Sequence, residues 1–140
     1  MLIISAHIDN SRDNHQITLQ TNENTHSITI PSKPGGFGSS ANGGELLFLA
    51  LATCYCNDIY REAAKRNITV RSVHVEVSGE FEGVPGNPAE NITYQARVEA
   101  EAPEEAIRDL MQHTDTVAEI HNTLRQASNI SLVSIEAVSV

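Results

Sequence analysis

The chain has 140 residues, a net charge of −9 and only nine Lys and Arg, which is room for one hydrophobic core but not two. That charge balance excludes a nucleic-acid backbone or an anionic membrane surface as partner, because both require clustered cations. Hydrophobic residues make up 40% and aromatic residues 4%, with no Trp, a thin supply for one core, so a partner subunit is expected to complete part of the apolar surface.

In chain order, residues 2–8 and 15–20 read as two short strands joined by the polar turn DNSRDN, a hairpin. A third run, Thr25 to Ile30, alternates polar and apolar residues until Pro31 ends it. The start of the chain carries no positive leader and reaches polar residues early, so it reads as a strand and not as a signal peptide. PSKPGGFGSSANGG follows, a loop without periodicity. Its glycines do not form a phosphate loop, since the pattern GxxxxGK[ST] is absent and Lys33 precedes them. They supply unusual backbone angles where the loop approaches a helix.

That helix spans Asn42 to Asn67 and organises the rest. Asn42 and Glu45 have the spacing of a capping box, and Asn67 is suited to a left-handed stop. From Leu46 to Cys56 nearly every residue is apolar or small, which predicts burial on all sides. Beyond it Asp58, Arg61, Glu62, Lys65 and Arg66 return to the polar side, leaving Ile59, Tyr60, Ala63 and Ala64 inward. The whole element is roughly 35 Å long. Its apolar run of about eleven residues falls short of the roughly twenty that span a bilayer, and a soluble, cytoplasmic protein is expected.

Two antiparallel strands come next, Ile68 to Phe81 and Asn91 to Glu101, with Val73, Val75 and Val77 on one face of the first and Ile92, Tyr94, Ala96, Val98 and Ala100 on one face of the second, a long pair with one buried face. Val70 is out of phase and predicts a bulge. Pro103, Glu104 and Glu105 open a helix to about Gln112. Thr116 and Glu119 form a second capping-box pattern, starting a helix through Gln126 with Val117, Ile120 and Leu124 inward. Asn129 to Val140 is the last predicted strand. The order β-β-β-α-β-β-α-α-β describes a single α+β domain over residues 1–140, with antiparallel sheets wrapped around a long central helix.

The chemistry centres on Cys54 and Cys56. They are two apart on a helix and point about 200° away from one another, so they cannot bond to each other within it. Neither has the spacing that staples a secreted fold, and both are expected as free thiols. A buried cysteine is most often a small hydrophobe, and reactivity demands a cation or donor nearby. No basic residue neighbours Cys54 in sequence, leaving Arg12, Lys33 and Arg125 as activating candidates. Glu45 lies nine positions earlier, about 13 Å along the axis, and reaches that thiol only from a second copy of the helix running antiparallel. The six histidines show no HxxxH or HxH spacing, so no metal is expected. His121 is the histidine best placed for a Cys/His hydrolase.

GGELLFLALATCYCNDIYREAAKRNI resembles the signature of the OsmC/Ohr superfamily, in which a Gly- and Pro-rich loop leads into a long helix carrying a glutamate and, nine or ten positions later, a reactive cysteine. HTDTVAEIHNTLR resembles the second motif, a Cys-Pro-Val triplet followed by a run like His121 to Arg125. The resemblance covers roughly Pro31 to Val140. It implies an intertwined homodimer with two active sites at the subunit interface, acting in oxidative-stress defence. It also implies a thiol-dependent peroxidase (peroxiredoxin-type) activity on organic hydroperoxides, without cofactor or metal. By that resemblance Cys54 is the peroxidatic cysteine, Glu45 the helix-start glutamate acting from the partner, and Arg12 the activating arginine of the amino-terminal strands. Ala118, Glu119 and Ile120 stand where the family has Cys-Pro-Val, so the resolving cysteine is missing. An external thiol reductant then replaces it, Cys56 serves after local unwinding, or the chain is a non-catalytic scaffold for a small apolar ligand or a protein partner.

Overall fold

The computed structural model describes all of residues 1–140. It clusters into two compact units, Met1–Leu47 and Phe48–Val140. The first is an antiparallel meander of β1 (Ile4–Ser11), β2 (Asn14–Thr21) and β3 (Asn24–Ile28). Ile17 of β2 pairs with Ile8 and Ile28 and is buried, while Ile4, Ile8 and Ile28 are exposed. Both hairpins turn in two residues, with Asp13 (φ 59°) and Asn22 (φ 52°) in the left-handed region, where short polar side chains are tolerated. The expected turn DNSRDN is therefore shorter than read, its first three residues extending β1.

In the glycine loop Gly35, Gly36 and Gly38 take φ values of 100°, 96° and 78°. A Cβ on Gly36 would stand 2.6 Å from Asp13 Oδ1, so the Asp13 side chain would have to move to admit one. The expectation of unusual backbone angles holds.

Helix α1 (Gly43–Lys65) begins in the first unit and runs into the second. Its start is the predicted capping box. The Asn42 N–H donates to Glu45 Oε1 at 2.9 Å, and the Glu45 N–H donates to Asn42 Oδ1 at 2.8 Å. Its end is a Schellman turn: Asn67 has φ 54°, and the Ile68 N–H reaches the Ala63 carbonyl at 3.0 Å.

The second unit packs α1 against the antiparallel pair β4 (Thr69–Glu80) and β5 (Glu90–Glu101) and against α2 (Glu104–Val117). Val73 pairs with Val98, Val75 with Ala96 and Val77 with Tyr94, putting one apolar face inward as predicted. The register shifts between Val70 and Ser72, the bulge that the phase of Val70 required. The core is Tyr55, Ile59, Ala63 and Leu110, with Ile68, Val70, Val73, Val75, Tyr94, Ala96, Val98 and Met111 around it.

Several expectations are corrected. Within the single chain one face of α1 is covered, not all of them: Leu51 and Tyr55 are buried, but Leu49 is 58% exposed, and Ala50 and Thr53 are exposed too. The inward face of its second half is Asp58, Ile59, Glu62 and Ala63, while Tyr60 and Ala64 are exposed. Two carboxylates are tolerated there because basic side chains reach over to pair with them. Helix α2 continues five residues beyond Gln112, and the Thr116 hydroxyl donates back to the His113 carbonyl instead of capping the next helix. The chain breaks instead at the extended residue Ala118, and α3 (Glu119–Arg125) follows without a side-chain cap. His121 is its buried residue, while Ile120 and Leu124 are exposed.

Residues 129–140 form no ladder. Ile130, Leu132 and Val133 are 98%, 81% and 91% exposed, an apolar segment with no partner strand in the single chain. No helix is long and apolar enough to cross a membrane.

Candidate active site at Cys54

Cys54 stands half-buried in the middle of α1. Helical geometry sets side chains four and seven positions on along the same face, and here these are Asp58 and Arg61. The thiol donates to Asp58 Oδ2 at 3.5 Å and lies 4.0 Å from Glu119 Oε2, at the start of α3. Arg61 closes the group: its Nη1 is 3.2 Å from Asp58 Oδ1 and 2.9 Å from Glu119 Oε1. Its Nε donates to Glu62 Oε2 at 2.9 Å. Glu62 also receives Lys65 Nζ at 3.0 Å and has His113 Nε2 at 3.0 Å.

The electrostatics follow from burial and these partners. Burial pushes the Cys54 thiol up, and the Asp58 and Glu119 carboxylates add to the effect, against a backbone N–H from Ile120 that favours the thiolate. Burial also raises Asp58, while the thiol and Arg61 pull the other way. Glu119 is lowered, first by its own backbone N–H and also by Arg61. Glu62 is held down at about 2, by Arg61 first and then by Lys65. The resting thiol is therefore protonated, with its proton directed at a buried carboxylate.

Cys54 Sγ, one Asp58 oxygen and one Glu119 oxygen lie within 4.8 Å of one another, the spacing of a three-ligand metal site. Arg61 already spans both carboxylates, so a cation entering there competes with a guanidinium.

The residues singled out from the sequence divide. Glu45 is in the first turn of α1, its carboxylate engaged with the Asn42 N–H. Arg12 occupies the β1–β2 turn, and Lys33 lies in the glycine loop against Gly38. Arg125 is not a partner of Cys54: its Nη2 pairs with Asp115 Oδ1 at 2.8 Å and its Nη1 bonds the Asp115 carbonyl at 3.1 Å. Nor does His121 serve the thiol. Its ring packs edge-on to Tyr94 at 4.8 Å and lies 6.3 Å from Tyr55, and both ring nitrogens are buried without a partner. The Cys/His hydrolase is thereby ruled out for this arrangement. Cys56 is half-buried and, like Cys54, a free thiol, as helix geometry requires.

Ala118 is fully buried, and the two residues after it both meet the Cys54 sulfur, Glu119 by side chain and Ile120 by backbone. Asp58, Arg61 and Glu119 escaped the sequence reading, although the spacing from Cys54 to Asp58 and Arg61 was visible in it. Elsewhere in this unit a cavity of about 410 Å³ is lined by Leu51, Val77, Ile92, Tyr94, His121 and Leu124 among others.

No curated protein sequence matches this chain. Among solved structures it is similar to an OsmC-like protein from Mycoplasma pneumoniae, at 19% identity and a TM-score of 0.60 over 89% of this chain and 87% of that one. A hypothetical protein from Aquifex aeolicus superposes with a TM-score of 0.62 at 16% identity over 92% of both chains. An OsmC-like hydroperoxide resistance protein from Jannaschia sp. CCS1 gives 0.53 at 15% identity, over 91% of this chain and 87% of that one. At such identities the likeness speaks for the fold. Residues 36–133, from the glycine loop through both motifs, match the family described as OsmC-like protein, and the chain belongs to that family.

Proposed function

We propose that this protein is a one-cysteine, thiol-dependent peroxidase that reduces organic hydroperoxides. Cys54 is the nucleophile. Its sulfur attacks the distal peroxide oxygen, the O–O bond breaks, and an alcohol leaves with Cys54 as sulfenic acid. One external thiol displaces water to give a mixed disulfide, and a second releases Cys54 as the thiol and departs as a disulfide. The observation that carries this reading is the pairing of a half-buried, free Cys54 in the family's helix with a fully buried Ala118 where the resolving cysteine would stand. The hydroperoxide-resistance relative supports the substrate class.

The active unit in this reading is a homodimer. Glu45 of the partner positions the substrate, and Arg12 favours the thiolate. Support comes from apolar residues that the single chain leaves bare, Ile4 and Ile8 on β1, Leu49 on α1 and Ile130 to Val133 at the end of the chain.

Two observations favour a second reading, a scaffold without turnover. The neighbours that raise the Cys54 thiol are carboxylates, and the cavity beside His121 offers room for a small apolar molecule. One equivalent of cumene hydroperoxide, followed by sulfenic-acid trapping and mass spectrometry on wild type, Cys54→Ser and Cys56→Ser, decides between the two. Fast, selective trapping at Cys54 is expected. Reaction no faster than that of a free thiol in solution leaves the scaffold.

A further inference from the structure

We infer that Asp58 is the proton carrier of the peroxide reaction: it takes the Cys54 proton as the sulfur attacks and delivers it to the departing alkoxide. The inference rests on the peroxidase reading and adds to it a residue that touches the reacting atom.

The two oxygens of Asp58 are divided. Oδ1 is held by Arg61 at 3.2 Å, while Oδ2 accepts from the Cys54 thiol at 3.5 Å. Asp58 is only 6% exposed, so bulk water is a poor competitor for that proton. Glu119, the other carboxylate at the sulfur, has a side chain 64% exposed and lies farther off, at 4.0 Å. The charged and titratable groups facing Asp58 are Cys54 and Arg61 on its own helix and Glu119 on α3. Burial raises its proton affinity and Arg61 restrains it, which is the tuning a carboxyl group needs to both accept and return a proton.

The step balances. The S–H proton passes to Oδ2, and the sulfur forms a bond to the distal oxygen, which keeps its own hydrogen. The O–O bond breaks, and the alkoxide takes the proton from Oδ2. Cys–SH and ROOH become Cys–SOH and ROH, sulfur oxidised by two electrons and the peroxide reduced by two. An alkoxide is a strong base and a poor leaving group, so a positioned acid beside it accelerates the break.

A carboxylate that acts only through its charge behaves differently, and the difference is one of sign. Its negative charge holds the thiol protonated, so removing it speeds every reaction of the sulfur. Removing a proton carrier speeds alkylation, whose iodide leaving group needs no proton, but slows attack on a hydroperoxide. The test compares single-turnover rates with iodoacetamide and with cumene hydroperoxide at pH 7. It uses the full chain in a Cys56→Ser background, with Asp58 intact or as Asp58→Asn. The expected result is a crossover, with alkylation severalfold faster and hydroperoxide reaction slower by on the order of 10²-fold. Asp58→Glu, which keeps a carboxyl group, is expected to restore the hydroperoxide rate to within about tenfold of the parent. Asp58→Ser serves as the removal variant if Asp58→Asn does not fold.

Both rates rising together, or neither moving, overturns the role of Asp58 and leaves the peroxidase standing. A parent protein that alkylates but does not react with hydroperoxide overturns the peroxidase reading and this inference with it.

Discussion

Replacing Ala118 with cysteine should give this chain an intramolecular oxidation cycle. Ala118 is extended (φ −71°, ψ 108°) and fully buried between α2 and α3, and the next two residues both meet the Cys54 sulfur. A thiol at position 118 is thus placed to attack the Cys54 sulfenic acid and expel water. The added sulfur overfills a packed site at about 1–3 kcal/mol, equally in the reduced and oxidised variant. The disulfide then closes a loop of roughly 64 residues, which constrains the unfolded chain by about 4 kcal/mol. For a chain of this size each kcal/mol moves Tm by roughly 3–5 °C, so the oxidised Ala118→Cys protein should melt about 12–20 °C above its reduced form. The assay is one equivalent of cumene hydroperoxide, then intact-mass and non-reducing peptide analysis, with thermal melts before and after a reductant. Wild type should show no intrachain disulfide and no such gap. If the variant accumulates sulfenic or sulfinic acid at Cys54 with no disulfide, residue 118 does not stand against the thiol. The account of the missing resolving cysteine is then wrong.

Three other outcomes follow from the same structure. Ile59 is fully buried in the core of the second unit, so Ile59→Ala should cost about 2–5 kcal/mol in urea unfolding, and a loss below about 1 kcal/mol would mean that this face is not packed as described. Glu62 is held at about 2 against an ordinary 4.5. Its pairing therefore stabilises the fold fully above pH 4.5, and the stabilisation disappears as pH falls from there toward 2. Glu62→Gln should flatten the stability profile in that window, and an unchanged slope would refute the pairing. Burial, and then Arg125, lower His121 below its ordinary 6.5, so the folded chain carries it neutral. As pH drops through 6.5 the unfolded chain gains a proton that the folded one refuses, and stability falls. His121→Leu removes two unpartnered buried nitrogens and should match or exceed wild type by up to about 2 kcal/mol, with a flatter slope below pH 6.5; a clear loss of stability would show that the ring has partners.

Local patterns were legible in the amino-acid sequence because local forces decide them. The Asn42–Glu45 box, the Asn67 stop, the Val70 bulge and the inward face of β4 and β5 depend on residues within a few positions or on strict alternation, and each formed as read. The family was legible for a related reason, since its motifs lie in the helix and the HNTLR run. The surroundings of Cys54 were legible only in part. Asp58 and Arg61 lie at helical spacing from it, but a charge run on a helix ordinarily faces water, and what lets Asp58 and Glu62 lie inward is pairing with Arg61 and Lys65 of the same helix and, for Glu62, with His113 of α2. Glu119 has the spacing of a capping box with Thr116 but neighbours the thiol instead, because α2 runs on to Val117 and the break falls at Ala118. His121, a hydrolase candidate by residue type, belongs instead to an aromatic cluster with Tyr55 and Tyr94. The contacts of Glu119 with Cys54 and of His121 with Tyr55 join residues more than sixty positions apart, and no local propensity specifies them. Legible in the amino-acid sequence alone are the order of elements through α3, the cysteine helix and the absence of a second thiol at position 118. Helical spacing put Asp58 and Arg61 beside the Cys54 thiol, but the arrival of Glu119 and the burial that sets the cost of each charge were decided by tertiary packing, where distance selects partners from remote parts of the chain.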